Sequence, residues 1–281
     1  MIVADELALA HDRIVVTGGG SGIGRAVAVS LAARGAQVYV FGRRPDALDA
    51  TAALAAKLPG SVVPVPCDVL DQEAVDRSFA EVERDGAPTG LVHAAAQMVK
   101  MRARDMTPEA FQEVVASTLF GSFNVVRRWA LPLLDRPERG SAVLLTSNSA
   151  SRGTPGVAHS SAGKAGVEAL VKSLAREWGP HGLTFNAVGP GPFPVEKSAA
   201  AWSTPEVARH MSDAIALGRY GELPEIVGPI VFFLTKGASY TTGQALLVDG
   251  GLSLTRWSLR PEDIDSGINN DYSTGSSGHA E

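Results

Sequence analysis

The sequence predicts a single α/β domain with a doubly wound, mainly parallel sheet of seven strands and helices on both faces. Short apolar runs alternate with segments of helical periodicity, which is the order that crossover connections between parallel strands produce. The runs are almost continuously apolar, as is typical of strands that are buried on both faces. A glycine-rich turn follows the first run. In such sheets, ligands bind at the carboxyl ends of the strands.

The predicted elements follow in order along the chain. The strands are residues 14–16, 37–41, 62–65, 91–94, 142–146, 184–188 and 245–248. The helices are residues 23–33, 46–58, 71–84, 108–134 and 160–178, with two further helices before the last strand. Pro45 precedes the second helix, and Pro59 and Gly60 end it. Thr107 is the predicted N-cap of the long fourth helix, with Glu109 in its first turn.

Residues 17–24, with the sequence TGGGSGIG, are the predicted phosphate-binding turn. The absence of Cβ atoms at Gly18, Gly22 and Gly24 allows positive φ and a close approach to a pyrophosphate. The helix that follows offers free amide groups and the positive end of its dipole. The spacing of the three glycines differs from the commoner dinucleotide-binding pattern. A glycine-rich turn without a ligand is the alternative.

The residues after the second and third strands indicate which dinucleotide binds. An acidic residue after the second strand would bind the 2′-hydroxyl of NAD, whereas Arg43 and Arg44 suit a 2′-phosphate through charge-assisted contacts. The sequence therefore favours NADP(H). The alternative is that both arginines only solubilise the start of a helix. Asp68 could accept a hydrogen bond from an adenine amino group, or cap the helix that begins near Asp71.

Composition excludes several classes of function. A net charge of −5 gives no sign of the basic surface that nucleic-acid binding needs. No apolar run approaches the roughly 18 residues of a membrane-spanning helix, and Asp5 and Glu6 stand where a signal peptide has positive charge. We therefore expect a cytoplasmic protein that binds neither nucleic acid nor membranes. Cys67 is the single cysteine, so a disulfide framework and a multi-cysteine zinc site are excluded, and no metal is predicted.

Four motifs resemble those of the short-chain dehydrogenases/reductases. They are TGGGSGIG, CDV at 67–69, SLAREWGPHGLTFNAVGPGPF at 173–193, and TGQALLVDGG ending at 251. The resemblance implies a Rossmann-type fold over residues 1–252, a nicotinamide cofactor, a small-molecule substrate, and a homotetramer or homodimer. Residues 253–281 extend beyond that fold and are rich in small polar residues, which predicts a flexible tail unless they dock on a neighbouring subunit.

This resemblance, and the rule that ligands bind at the carboxyl ends of the strands, together predict the cofactor-binding residues. These residues lie in the glycine turn, at the ends of strands, and on the helix at 160–178. They are Thr17, Gly18, Gly20, Ser21, Gly22, Ile23, Gly24, Arg43, Arg44, Asp68, Val69, His93, Ala94, Ala95, Lys164, Pro190 and Gly191. Lys164 is expected to bridge the hydroxyl groups of the nicotinamide ribose.

The family's catalytic residues are only partly matched. In that family, Ser, Tyr and Lys carry the catalysis, with an Asn from the preceding long helix. Lys164 matches the lysine and Ser147 the serine, but Ser160 stands at the tyrosine position and Thr118 at the asparagine position. A serine hydroxyl is a weaker acid than a phenol and much shorter, so Ser160 cannot simply replace the tyrosine. The resemblance therefore implies a retained cofactor site and an atypical catalytic site.

Several groups could compensate for the missing phenol. His159 lies beside the tyrosine position and has an ordinary pKa of about 6.5, although adjacent residues on a helix point about 100° apart. His93, in place of an asparagine that usually follows strand four, could contact the ribose. Ser147, Ser149 and Thr118 could hold an oxyanion or a water, or could only satisfy backbone groups.

Two classes of function remain open. The 2,4-dienoyl-CoA reductases also lack the usual Tyr-x-x-x-Lys, and this chain is similar to them at residues 160–164, 167–169, 177–179 and 190–192. That similarity implies hydride transfer from NADPH to a conjugated C=C–C=O system. Because no tyrosine lies near Ser149 and Thr118 has no amide, another enone or ketone, such as a secondary-metabolite intermediate, fits no worse. The alternative is a catalytically silent NADP(H)-binding sensor or scaffold.

The loop at residues 97–106 follows the fourth strand and could meet the substrate. It carries Lys100, Arg102 and Arg104, which could receive an anionic substrate such as a CoA ester. A solvated basic loop is the alternative.

Overall fold

The protein folds around one parallel sheet. The computed structural model describes residues 8–9, 13–97, 99–195 and 204–254. Within them, seven strands pair in parallel in the order β3-β2-β1-β4-β5-β6-β7. The strands are β1 (Arg13–Thr17), β2 (Gln37–Gly42), β3 (Ser61–Pro66), β4 (Gly90–His93), β5 (Gly140–Leu145), β6 (Leu183–Pro190) and β7 (Ala245–Val248). The predicted seven-stranded, doubly wound sheet is confirmed. Most of the predicted extension at 253–281 lies outside the described residues.

Helices connect the strands and cover both faces of the sheet. They are α1 (Gly22–Ala33), α2 (Pro45–Leu54), α3 (Gln72–Val82), α4 (Pro108–Val115), α5 (Gly121–Ala130), α6 (Ser149–Arg152), α7 (Ala158–Trp178), α8 (Pro205–Ala214) and α9 (Leu223–Phe232). The short α6 is not predicted by the sequence. In the part of the chain that the structure describes, no helix has the length and apolar character needed to cross a bilayer.

Two hydrophobic cores lie on opposite faces of the sheet because side chains alternate along each strand. On β1, Ile14 and Val16 join the core beneath α1 and α9, whereas Val15 joins the core beneath α3, α5 and α7. Trp129 of α5 is almost fully buried in the second core. Full burial of one large apolar side chain contributes about 1.5–3 kcal/mol, so the two cores hold the helices firmly against the strands.

The long helix predicted at 108–134 is confirmed as one helical stretch from Pro108 to Leu133, but its α-helical pattern is interrupted in the middle. Residues Ala116–Phe120 form a π-helical segment between α4 and α5. The hydroxyl of Ser117 donates to the Val114 carbonyl at 3.1 Å, and the hydroxyl of Ser122 donates to the Thr118 carbonyl at 2.6 Å. Such side-chain bonds compete with the regular helical pattern, and π segments often occur at functional sites. The segment contains Thr118, one of the candidate catalytic residues.

The strand order reverses between β1 and β4, which opens a crevice at their carboxyl ends. Thr17 pairs with His93 in the β1–β4 register, and His93 pairs with Leu144 in the β4–β5 register. His93 therefore lies at the reversal point, between the glycine turn and the end of β5. The fold thus places the sequence-predicted site residues around one end of the sheet.

Candidate active site

A cavity of about 750 Å³ lies at the carboxyl ends of the strands. It contains most of the predicted cofactor-binding residues: Gly18, Gly20, Ser21, Ile23, Gly24, Arg43, Arg44, Asp68, Val69, Ala94, Ala95, Pro190 and Gly191. The other predicted residues do not line it: Thr17, Gly22, His93, Thr118, Ser147, His159, Ser160 and Lys164. The structure therefore gathers most of the cofactor-binding candidates into one cavity and leaves the catalytic candidates outside its lining.

The glycine turn has room for a phosphate because side chains are absent where its backbone is crowded. Gly18 has φ of +69°, and a Cβ there would lie 2.9 Å from the carbonyl carbon of Ala94. Gly22 has φ of +54°. Gly24 is different, because its φ is not positive and a Cβ there would collide with the carbonyl oxygen of Gly18. The prediction of positive φ is thus confirmed for Gly18 and Gly22, and wrong for Gly24, where the constraint is space.

The N-terminus of α1 is open toward this turn. Its N-cap, Ser21, makes no capping hydrogen bond through its side chain, and the first turn contains no acidic residue. Amide groups and the positive end of the helix dipole are therefore left for an anion. A turn kept free of Cβ atoms and an uncapped helix N-terminus fit the diphosphate of a dinucleotide.

The end of β2 carries positive charge without an acidic partner. Arg43 and Arg44 are exposed at the cavity, and neither side chain forms an ion pair or hydrogen bond with another part of the chain that the structure describes. Asp68, after β3, accepts a hydrogen bond at Oδ1 from the amide of Leu70 at 3.0 Å. The helix cap is Asp71, whose Oδ1 accepts from the amide of Ala74 at 3.1 Å, so the alternative role of Asp68 as a cap is wrong.

Lys164 extends from α7 to the carboxyl end of β5. Its side chain is buried, and Nζ donates to the carbonyl of Leu145 at 2.5 Å. Burial lowers the pKa of Lys164 from 10.5 to about 8, because a charged ammonium is poorly solvated inside the protein. An ammonium has three donors, so two remain for oxygen atoms of a ligand. Leu145 itself lines the cavity, which places Lys164 directly behind the wall of the cavity.

His93 is held as a neutral imidazole with a fixed tautomer. The hydroxyl oxygen of Thr17 accepts the amides of Ala94 and Ala95 at 3.2 and 3.1 Å, and lies 2.9 Å from Nδ1 of His93. With both lone pairs occupied, the hydroxyl must donate to Nδ1, so the ring hydrogen is on Nε2. Burial first, and then the charge of Lys164, lower the pKa of His93 to about 3. Its Nε2 is buried without a hydrogen-bond partner among the described residues.

His159 has the same tautomer for a different reason. Its Nδ1 accepts the amide of Ser160 at 2.8 Å, which leaves the hydrogen on Nε2. This Nε2 is also buried, and no hydrogen-bond partner for it lies in the described part of the chain. His159 is therefore an interior residue and not part of the surface.

Thr118 lies against the helix that carries Lys164. A Cβ at Gly163 would lie 3.0 Å from Cβ of Thr118, so the absence of a side chain at Gly163 lets the two helices approach closely. Thr118 is fully buried, and its hydroxyl oxygen finds no hydrogen-bond partner within the described ranges. Ser160, one turn before Lys164, is also buried.

Ser147 follows β5 and has one hydrogen left to donate. Its Oγ accepts hydrogen bonds from the amide and the hydroxyl of Ser149, at 3.2 and 3.0 Å. With its lone pairs occupied, the Ser147 hydroxyl can act only as a donor toward any further partner. Such a donor can stabilise negative charge that develops on an oxygen atom.

The sequence did not indicate several residues of the site. Ser117 and Leu145 line the cavity beside the predicted residues, and Arg25 and Thr51 hydrogen-bond to the glycine turn. Ser117 is part of the π-helical segment, which periodicity cannot reveal. Arg25 and Thr51 meet only through the packing of α1 on α2. Cys67 is buried directly after β3, and burial raises the pKa of its thiol.

The basic loop after β4 is attached to the turn that precedes α7. The amide of Met101 donates to the carbonyl of Gly156 at 2.8 Å. Lys100, Arg102 and Arg104 are exposed, and Arg104 forms a loose ion pair with Asp105 at 3.6 Å. Among the described residues, no cluster of His, Cys, Asp and Glu could hold a metal ion.

Known proteins resemble the chain over most of its length. A family model described as enoyl-(acyl carrier protein) reductase matches residues 18–253. The Caenorhabditis elegans protein named "Probable 2,4-dienoyl-CoA reductase 3" is 32% identical over 246 residues, which cover 84% of this chain and 79% of that protein. L-xylulose reductase of Bos taurus is 34% identical over 250 residues, which cover 89% and 100%. A solved structure, gluconate 5-dehydrogenase from Burkholderia cenocepacia J2315 in complex with NADP and tartrate, has a TM-score of 0.84 at 26% identity, and the match covers 89% of this chain and 98% of that chain.

Proposed function

The chain belongs to the short-chain dehydrogenase/reductase family and is an oxidoreductase of that type, and from this premise we propose that it is an NADP(H)-dependent reductase with a non-standard proton donor. The bond that it reduces is a C=O or a conjugated C=C in a small molecule, such as an enone, a dienoyl thioester or a secondary-metabolite intermediate. The observation that carries the proposal is the cavity that joins the glycine turn, the open N-terminus of α1 and two arginines.

NADP(H) fits this cavity better than NAD(H). The turn and the helix N-terminus supply amides for a diphosphate, and Arg43 and Arg44 supply the charge that a 2′-phosphate needs. Asp68 is the acidic residue that lines the cavity, and it lies after β3, not at the end of β2. The structurally similar gluconate 5-dehydrogenase was solved with NADP, which supports the same cofactor here.

NADPH bound in this cavity would supply a hydride to a substrate carbon, and the electron pair of the reduced bond would move toward the substrate oxygen. Lys164 would hold the ribose hydroxyls with its two remaining N–H groups and so orient the nicotinamide. Ser147, whose lone pairs are occupied by Ser149, donates its hydrogen to the oxygen that becomes negative.

The fixed tautomers of the two histidines determine how they can act. His93 and His159 both present a neutral Nε2–H, so each is a hydrogen-bond donor. Proton transfer from His159 would require protonation of Nδ1 and loss of its bond with the Ser160 amide. We therefore assign His159 the role of a donor that stabilises an oxyanion, and assign the final proton to water. Thr118 and Ser160 hold that water.

This set of donors favours reduction of a conjugated C=C over reduction of a simple ketone. Addition of hydride to a ketone produces an alkoxide, which is a strong base and needs a nearby acid such as a phenol. Addition to an enone produces an enolate, which is a weaker base and needs only donors. The similarity to a dienoyl-CoA reductase supports this choice, and the basic side chains of Lys100, Arg102 and Arg104 suit an anionic thioester.

A catalytically silent NADP(H)-binding protein is the second candidate. One observation favours it: most of the cofactor candidates line the cavity, whereas none of the catalytic candidates does. A cytoplasmic location and a homotetramer or homodimer stay predictions in either case.

The deciding experiment measures NADPH oxidation with dienoyl-CoA, enone and ketone substrates, after NADPH binding has been established by fluorescence. Wild-type protein is compared with Lys164→Ala and His159→Ala, and with Lys172→Ala as a control at an exposed position of the same helix. Turnover that requires Lys164 but not Lys172 supports a reductase. NADPH binding without oxidation of any substrate favours the silent protein, and absence of NADPH binding contradicts both.

A further inference from the structure

Two carbonyl groups of the glycine turn are held by residues outside the turn. The hydroxyl of Thr51 donates to the carbonyl of Gly19 at 2.9 Å, and Nη2 of Arg25 donates to the carbonyl of Gly20 at 2.5 Å. The two outer residues also contact each other, because Nε of Arg25 donates to the Thr51 hydroxyl at 3.2 Å. Arg25 and Thr51 therefore form a continuous hydrogen-bonded bridge, which we call the turn brace.

The turn brace fixes the direction of two amides. In a trans peptide the C=O and the following N–H point in opposite directions, so each held carbonyl orients the next amide. The amides concerned are those of Gly20 and Ser21, and neither donates to another described residue. Both residues line the cavity. The turn brace thus holds two free donors in the place where a diphosphate would bind.

The turn brace also ties the glycine turn to the helix that follows the two arginines. Thr51 belongs to α2, is fully buried, and lies 3.0 Å from the Ala47 carbonyl as well. On the same helix, Ala47 packs so closely on the turn that a Cβ at Gly20 would lie 3.1 Å from Cβ of Ala47. Arg44 is the N-cap of α2. The position of the arginines relative to the turn amides is therefore set through α2.

The geometry points to Arg25 and Thr51 as positioning residues that determine the preference for NADP(H) over NAD(H). This inference rests on the NADP(H) binding of the proposed function, and not on its reduction chemistry. The diphosphate and the 2′-phosphate belong to one molecule, so both subsites act together only if their separation is fixed in advance. NAD(H) has no 2′-phosphate, so of these two subsites it uses only the turn. Loosening the turn brace should therefore weaken NADPH binding more than NADH binding.

The test compares Thr51→Val with Thr51→Ser, because valine keeps the shape of threonine without its hydroxyl and serine keeps the hydroxyl. Fluorescence titrations give the Kd of NADPH and NADH for each. We expect Thr51→Val to weaken NADPH about tenfold and NADH about threefold or less, the order of magnitude for loss of one buried hydrogen-bonding group. Thr51→Ser should keep the wild-type ratio. Thermal unfolding of each variant reports any general loss of stability.

A double substitution separates positioning from simple destabilisation. In an Arg44→Ala background the arginine subsite is already weakened, so Thr51→Val should then affect NADPH and NADH to the same extent. If wild-type protein binds NADPH but Thr51→Val lowers the affinities for NADPH and NADH by the same factor, this inference is overturned and the proposed function is not. The inference is also overturned if the losses of NADPH binding free energy in Thr51→Val and Arg44→Ala simply add in the double variant. Wild-type protein that binds neither cofactor overturns the proposed function, and this inference with it.

Discussion

Replacement of Lys164 by methionine should stabilise the cofactor-free protein while it removes cofactor binding. The ammonium of Lys164 is buried, and burial lowers its pKa from 10.5 to about 8. That difference corresponds to about 3 kcal/mol of unfavourable free energy for the charged form in the folded state. Methionine has a similar length and no charge, so it removes this term. It also removes the hydrogen bond to the Leu145 carbonyl, which is worth about 1 kcal/mol.

The expected net gain at pH 7 is about 2 kcal/mol in the free energy of unfolding. The way this gain changes with pH follows from how many protons the folded and unfolded wild-type protein bind. Between the folded pKa of about 8 and the unfolded pKa of 10.5, the unfolded wild-type protein binds more protons, so wild-type stability rises with pH in that window. The advantage of the Lys164→Met variant should therefore be full below pH 8, shrink as the pH rises, and be close to zero at about pH 10.

Urea unfolding of both proteins without cofactor, at several pH values from 7 to 10, measures this difference. Lys172→Met, on an exposed position of α7, is the matched control and should change stability by less than about 0.5 kcal/mol at each pH. A Lys164→Met variant that is less stable than wild type at pH 7 would refute the reasoning. So would an advantage that does not fall with rising pH.

Two further predictions concern the glycine turn and its neighbour β4. Gly18→Ala should abolish NADPH binding and lower the free energy of unfolding by about 1–3 kcal/mol, because its Cβ would meet the backbone of Ala94 at positive φ. Gly35→Ala, at φ of +91° with open space around the new Cβ, controls for the φ strain alone and should leave NADPH binding intact in a fluorescence titration. Thr17→Val should cost about 1–3 kcal/mol in urea unfolding, because it leaves the Ala95 amide and Nδ1 of His93 without their partner, whereas the Ala94 amide keeps the backbone carbonyl of residue 17. A loss below about 0.5 kcal/mol would contradict the hydrogen-bond arrangement inferred for His93.

The strands of the fold were predictable from the sequence, and the interruption of the long helix was not. A parallel strand of this kind is a short apolar run with turn residues on either side, and the seven strands share this local signature, although β7 is partly exposed. The π-helical segment at Ala116–Phe120 has no such signature. It depends on the hydroxyl groups of Ser117 and Ser122, which donate hydrogen bonds to backbone carbonyls of the helix. It also depends on the contact of Thr118 with Gly163, which is distant in sequence. Periodicity describes one helix at a time and therefore misses it.

The cofactor half of the site was predictable for a similar reason. In a doubly wound sheet the ends of the strands meet at one edge, so Gly18, Arg43 and Asp68 could be placed together from sequence order alone. The turn brace could not be predicted, because Arg25 and Thr51 lie on different helices and no motif links them. The neutral state of His93 could not be predicted either, since it depends on complete burial and on two amides that occupy the hydroxyl of Thr17.

Two basic side chains are buried at this edge of the sheet: His93 at the end of β4 and Lys164 beside the end of β5. Only one of them can carry a charge at neutral pH. Lys164 has a pKa of about 8, and its positive charge helps to lower the pKa of His93 to about 3. Between pH 5 and 9 the pair therefore has one ionisation, which is that of Lys164. An enzyme that relied on His93 as an acid would be active only near or below pH 3, whereas an enzyme that relies on the Lys164 ammonium would keep its activity through neutral pH and lose it as the pH rises above 8. The alkaline loss is the one that this pair of residues can produce.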